Sequence, residues 1–194
     1  MKHISSINNI IKKILKTGYV QVFLINFLIA MISFIGLIIK GDGIFTLAND
    51  FNEQQIPFHM LANNSLKNGG FLWNWSIDLG SSFVGALGFY VLGSPFAWLS
   101  FLFPAELYPY LTGWLYMMKY AAAGTLAYGY IKRFTSKKYA ALGAVLYAFS
   151  GFQCVNLIFH HFHDAVAFFP LLLIGYERLA KEVGESRNQI ARYI

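Results

Sequence analysis

The chain has 194 residues, of which 57% are hydrophobic, 18% aromatic and only 12% charged, with a formal net charge of +6. A soluble domain carries about a quarter charged residues, so this composition excludes an ordinary soluble domain and points to a bilayer. The positive charges flank apolar runs instead of forming a basic face, which excludes nucleic acid as the partner.

The first element is YVQVFLINFLIAMISFIGLII, residues 19–39, with no charged side chain. At about 1.5 Å per residue it crosses a hydrocarbon core of about 30 Å. Lys2, Lys12, Lys13 and Lys16 precede it without an acid among them, which predicts a cytoplasmic N-terminus. The run is longer than a signal-peptide core, and no small-x-small cleavage site follows it, so it is read as a retained anchor. Residues 40–106 form a long outer loop with two lysines against five acids, Asp42, Asp50, Glu53, Asp78 and Glu106.

Within that loop, FVGALGFYVLGSPFAWLSFLF, residues 83–103, is apolar enough to span. Gly93-Ser94-Pro95 cuts it in the middle, and a serine followed by proline reads as a fresh helix start. Charge chooses between the readings. The next run, 107–131, ends at Lys132, Arg133, Lys137 and Lys138, which belong inside if 83–103 lies as two short interfacial helices. Residues 139–158 then cross outward and 165–180 cross back, leaving Arg178, Lys181 and Arg187 inside. The predicted fold is all-α and multi-pass, with four spans, a cytoplasmic N-terminus and the sequence HHFHD, residues 160–164, as an outer turn. No second, soluble domain is evident. The lone cysteine, Cys154, reads as a small buried hydrophobe.

Two polar clusters then face one compartment. One is LANDFNEQQIPFHM with Asp50, Glu53, Gln54, Gln55 and His59; the other is HHFHD with His160, His161, His163 and Asp164. Ionisable groups near lipid need partners or a wet cavity, so a shared outer pocket is expected. The local readings stay open. The histidines are either metal ligands or a hydrogen-bonded interfacial turn, and their spacing lacks the separation of a zinc motif. Trp73 and Trp75 are either interfacial belt residues or a sugar-stacking pair. Lys119, in mid-span, either snorkels or faces inward to hold a phosphate.

Five blocks in order, DFNEQQIPF (50–58), GGFLWNWSIDLG (69–80), FYVLGSPFAWLSFLFP (89–104), YAALGAVLYAFSGFQCVN (139–156) and FHHFHDAVAFFPLLLIGYE (159–177), resemble the N-terminal portion of the bacterial YfhO family of multi-pass membrane proteins. The resemblance implies a glycosyltransferase of the GT-C type. Such an enzyme moves a sugar from a polyprenyl-phosphate carrier to an envelope glycopolymer, such as a teichoic acid, or to a lipid acceptor on the outer face of the bacterial cell membrane. It further implies that Asp50 is the essential acid of the first outer loop and that His161, His163 and Asp164 stand near the same pocket, His161 and His163 as substrate contacts; by their own chemistry Gln54 and Gln55 are candidate sugar or phosphate donors, and Lys119, if it faces inward, a candidate phosphate contact. A divalent cation, Mg²⁺ or Mn²⁺, would be held by Asp50 and Asp164. Members of that family are several times longer, so the chain is expected to be the front part of a larger protein and inactive alone. The small-residue run AAAGTLAYG, residues 121–129, is expected beside a groove for the carrier tail or in tight helix packing. The rival functions are a transporter, for which the spans hold few polar residues, and a non-catalytic membrane scaffold.

The predicted topology has a direct check. With single cysteines introduced at Ser82 and Ser136 in intact cells, a membrane-impermeant thiol reagent labels Ser82→Cys and spares Ser136→Cys; the reverse pattern inverts the orientation.

Overall fold

The computed structural model describes residues 17–190, and within these the regular secondary structure is helical, joined by turns and loops, apart from one isolated bridge between Asn74 and Ser81. Lys2, Lys12, Lys13 and Lys16, which carry the predicted orientation of the N-terminus, lie outside the described residues, as do the side chains of Glu185 and Arg187.

Helix α1, Gly18–Lys40, buries Val22, Asn26, Ala30, Phe34 and Ile38, one residue every four. That spacing puts them on a single stripe. The opposite side exposes Leu24, Ile25, Leu28, Ile32 and Ile39. Among the described residues this is the helix long enough and apolar enough to cross a membrane, with a mean hydropathy of 2.8. A half-bare apolar helix is a liability in water and ordinary in lipid.

The partner of α1 is α5, Tyr108–Ile131, the helix on which most of the bundle rests. The two run antiparallel: Tyr19 meets Tyr128 at one end, Phe34 meets Tyr120 in the middle, and Phe45, just past α1, meets Tyr116 at the other end. Close approach is permitted by Gly113 and Gly124. A Cβ on Gly124 would stand 2.4 Å from Asn26 Nδ2, and one on Gly113 would stand 2.9 Å from Phe45 Cβ. The small residues of 121–129 therefore serve helix packing: Ala123 packs with Ala148 and Ala167, and Ala127 with Val22, Ala140 and Ala144.

Helix α6, Lys137–Ala148, returns antiparallel along α5. Here the structure departs from the predicted crossing over 139–158. The helix stops at Ala148, a length of about 18 Å. Ser150 in extended conformation restarts the chain as the short α7, Gly151–Val155. Cys154 on α7 is exposed, correcting its predicted burial, because α7 presents Gln153 inward instead. Helix α8, His160–Ile190, then runs parallel to α5, with Thr112 beside His160 and Tyr130 beside Glu177. HHFHD is thus the first turn of a long helix and not a bend. Four residues sharing one turn point in different directions, and that separates the roles of its histidines. Pro170 interrupts the ladder inside α8, freeing the carbonyl of Val166, and the Tyr147 hydroxyl donates to that carbonyl at 2.6 Å.

The segment between α1 and α5 caps one end of this bundle. A π turn, Phe51–Gln55, runs directly into α2, Ile56–Asn68, so the first part of the predicted loop is helical. The apolar run 83–103 divides into α3, Phe83–Val91, and α4, Pro95–Ser100, with Ser82 and Ser94 accepting from Gly85 N–H and Ala97 N–H as N-caps. Asn63 and Lys67 of α2 donate to the carbonyl of Phe103, fastening the end of this pair. The opposite, basic end carries Lys132 over the Tyr19 ring and Arg133 paired with Glu177 at 2.6 Å.

Candidate functional site

The site lies at the capped end, where the π turn, α3, α5 and the start of α8 meet. Asn49 takes a left-handed conformation, φ 52°, which asparagine tolerates, and turns the chain into the π turn at Asp50. Asn52 holds the entry by pairing its amide with both backbone groups of Leu47. The π geometry sets Gln54 and Gln55 on different sides. Gln54 donates from Nε2 to Asp50 Oδ1 at 3.0 Å and accepts from the Tyr90 hydroxyl at 3.5 Å. Tyr90 of α3 then meets the His161 ring edge-on, with centroids 5.2 Å apart. Asp50, Gln54, Tyr90 and His161 form one continuous line from the loop to α8.

Gln55 is fully buried and accepts from the backbone N–H of His160 at 3.3 Å. The start of α8 is therefore capped by a residue 105 positions earlier in the chain, a bond that supplies one of the donors a helix N-terminus leaves unpaired. The ring of His160 sits among Phe51, His59 and Tyr116, with centroids at 5.2, 4.9 and 4.7 Å. His59 of α2 stacks on Tyr108 at 4.6 Å, and its Nδ1–H donates to the carbonyl of Gln55 at 2.7 Å. Burial drives the His59 pKa down to about 3, so the ring is neutral.

The predicted substrate ligands divide sharply. His161 is half-buried and lines a cavity of about 250 Å³ with Phe89, Tyr90, Ser94, Asp164 and Phe168. His163 points elsewhere: it is buried between Tyr116 and Tyr120 and bonds through Nε2 to the Asn156 carbonyl at 3.1 Å. Lys119 faces inward and is 1% exposed, with Nζ 2.9 Å from Asp164 Oδ2 and 2.9 Å from the carbonyl of His160. Its ammonium is engaged by the protein itself and does not line the cavity. Sequence reasoning did not foresee Tyr90, Phe89 and Phe168 in the site, because aromatic side chains in an apolar run carry no local signal, and it placed Gln55 at the substrate, whereas Gln55 turns inward to His160.

The expected divalent cation does not fit this arrangement. Asp164 is already neutralised by Lys119, Asp50 is bonded to a glutamine, and among the described residues no group of three or more His, Cys, Asp or Glu stands together as a metal-binding set. A hard divalent ion calls for several oxygen ligands with uncompensated charge.

A family model described as bacterial membrane protein YfhO matches residues 22–184 of the chain. No curated protein and no solved structure matches it.

Two measurements follow from the geometry. Lys119→Met leaves a buried carboxylate without its counter-ion, and denaturant titration of the detergent-solubilised protein registers a loss of about 3–5 kcal/mol. The double variant Lys119→Met/Asp164→Leu recovers most of it, since an apolar pair of similar volume carries no desolvation penalty. His59 supplies the second. Its folded pKa lies below the ordinary 6.5, so the unfolded chain binds the proton more readily. The stability tied to this group is complete above pH 6.5 and drains away as pH falls towards 3. Thermal melts between pH 7 and 4 show a decline that is shallower in His59→Phe.

Proposed function

The chain belongs to the YfhO family of bacterial membrane proteins, and from that premise we propose that it is the donor-side part of an envelope glycosyltransferase, moving a sugar from a polyprenyl-phosphate carrier to a glycopolymer or lipid acceptor at the outer leaflet. Membership places it in a membrane, and the exposed apolar side of α1 agrees with that location. The proposed orientation puts the basic end, with Lys132, Arg133, Lys137 and Lys138, in the cytoplasm and the capped end outside. In this reading α1, α5, the α6–α7 segment and α8 cross the bilayer in alternating senses.

One observation supports the proposal: the loop acid is linked through Gln54 and Tyr90 to His161, and Tyr90 and His161 in turn line a cavity together with Asp164. Glycosyl transfer needs an acceptor hydroxyl to lose its proton as the anomeric bond forms and the carrier phosphate leaves. Asp50 is the proposed general base. It is partly exposed, with its Oδ1 accepting from Gln54, so that the other oxygen stays available to an incoming hydroxyl. A positioned base contributes roughly 10²–10⁴ in rate. Gln54 orients the base, and His161 offers the leaving group a hydrogen bond. The carrier chain needs an apolar surface beside the cavity. Between the α6–α7 break and α8 lies an open groove of about 380 Å³, lined by Tyr147, Phe152, Ala165, Val166 and Phe169. Ala165 borders both the groove and the cavity.

The transporter reading fares worse. Below Lys119 the packed face of α5 is Tyr120, Ala121, Ala123, Gly124 and Ala127, which offers an ion no polar succession.

The deciding variant is Asp50→Asn. Introduced in the full-length context, it lowers transfer of radiolabelled sugar from polyprenyl phosphate to the envelope fraction by at least 10² while the amount of inserted protein is unchanged. An Asn variant with full transfer removes the assignment.

A further inference from the structure

The cavity beside α8 holds a feature that the proposed base does not use. Asp164 is 7% exposed, and its two oxygens have unequal surroundings. Oδ2 is gripped by Lys119 at 2.9 Å, whereas Oδ1 is buried with no hydrogen-bond partner. His161 Nδ1 is likewise buried and without a partner. A buried carboxylate oxygen without a donor costs free energy comparable to a lost hydrogen bond, and such exceptions call for an explanation.

The chemistry of the surroundings narrows the occupant. An ionised carboxylate accepts only, so the occupant must donate. Lys119 already balances the charge, which removes the call for a cation. Among the lining residues there is no ammonium or guanidinium, and His161 is the only nitrogen base, so a phosphate placed beside Asp164 would face a carboxylate with no fixed cation to offset the repulsion. Phe89, Tyr90 and Phe168 line the same cavity as Asp164 and His161. A ligand suited to this space is neutral, with hydroxyls along one edge and C–H groups across its face, which describes a pyranose ring. Aromatic rings take the apolar face, and a buried acceptor takes the hydroxyl.

We propose that the cavity between Tyr90, His161 and Asp164 is a sugar subsite in which Asp164 Oδ1 accepts a hydroxyl of a neutral pyranose. Lys119 is its positioning residue: it fixes the carboxylate rotamer and its charge from behind and does not touch the sugar. The assignment of this sugar to the transferred residue rests on the glycosyl-transfer reading above; the binding itself does not. The cavity rim also provides a clean probe, since a side chain at Gly93 would project into open space, with no atom within 4 Å of an added Cβ. Gly93→Leu therefore fills the mouth without disturbing the fold.

The test uses the protein in nanodiscs and saturation-transfer NMR with the methyl pyranosides of glucose, galactose, mannose and N-acetylglucosamine as probes. At least one gives saturable transfer, and binding weakens tenfold or more in both Asp164→Asn and Gly93→Leu. Should Asp164→Asn fail to fold, Gly93→Leu decides alone. Methyl glucoside 6-phosphate binds more weakly than its neutral parent. The subsite is overturned if no pyranoside binds the folded protein, if neither variant alters binding, or if the phosphorylated sugar is preferred. Transfer activity in the full-length context that survives such a result leaves the glycosyl-transfer reading standing, and saturable binding together with no transfer in the full-length context leaves the subsite and removes that reading.

Discussion

A lysine in the middle of an apolar helix needs a partner, and the organisation of the capped end follows from the one it finds. Lys119 reaches Asp164 and the carbonyl of His160 in the first turn of α8. Because a lone charge in this setting is far more costly than a pair, α5 and α8 are locked in one register, parallel and with their starts side by side at the capped end. That register brings His160 beneath Phe51 and His59, and it brings His161 against Tyr90. The same pair neutralises the acid of the cavity, so the cavity is polar without being charged.

Around this pair the fold uses two different means of close packing. Near the basic end, Ala123, Ala127, Ala140, Ala144 and Ala148 let α1, α5 and α6 approach backbone to backbone. Helices in lipid gain little from hydrophobic transfer, so small residues and shape carry the association. Near the capped end the interior is aromatic: Phe34, Phe45, Phe51, Tyr116, Tyr120 and His160 meet in tilted and edge-on pairs. Tyrosine suits this zone because its hydroxyl can reach a carbonyl. Tyr116 donates to Leu157 at 2.7 Å and Tyr120 to Gln153 at 3.4 Å, which ties the turn after α7 down onto α5. The break at Ala148 opens the apolar groove, and the proline in α8 is answered by Tyr147 across the same groove.

The proposed chemistry depends on two acids with different tasks. Asp50 is at the surface of the cap, held by a flexible amide and open to an incoming group. Asp164 is inside, held by a charge and unable to relax. Geometry of this kind separates a group that reacts from a group that recognises, and the neutral pair behind Asp164 argues against a cation bridging the two.

Much of the architecture was legible along the chain. The uncharged run after Tyr19, the Ser94-Pro95 restart and the basic cluster after Ile131 are local signals, because length, capping chemistry and charge are read over a few residues. The meeting of the 50–58 and 159–177 blocks at one end of the molecule was also foreseeable, once topology put both on the same side. In 139–158 the Ser150-Gly151 pair is a local turn signal inside a mostly apolar run, and the reach of Tyr116 and Tyr120 to Leu157 and Gln153 holds the chain after that break against α5. Other features were decided only by tertiary structure. HHFHD holds four polar residues that composition cannot rank. Helical direction sends His163 into the aromatic core, His161 to the cavity and Asp164 to Lys119. Pairwise contacts between residues 45 or 105 positions apart leave no mark in sequence spacing, since either partner alone would suit a different fold.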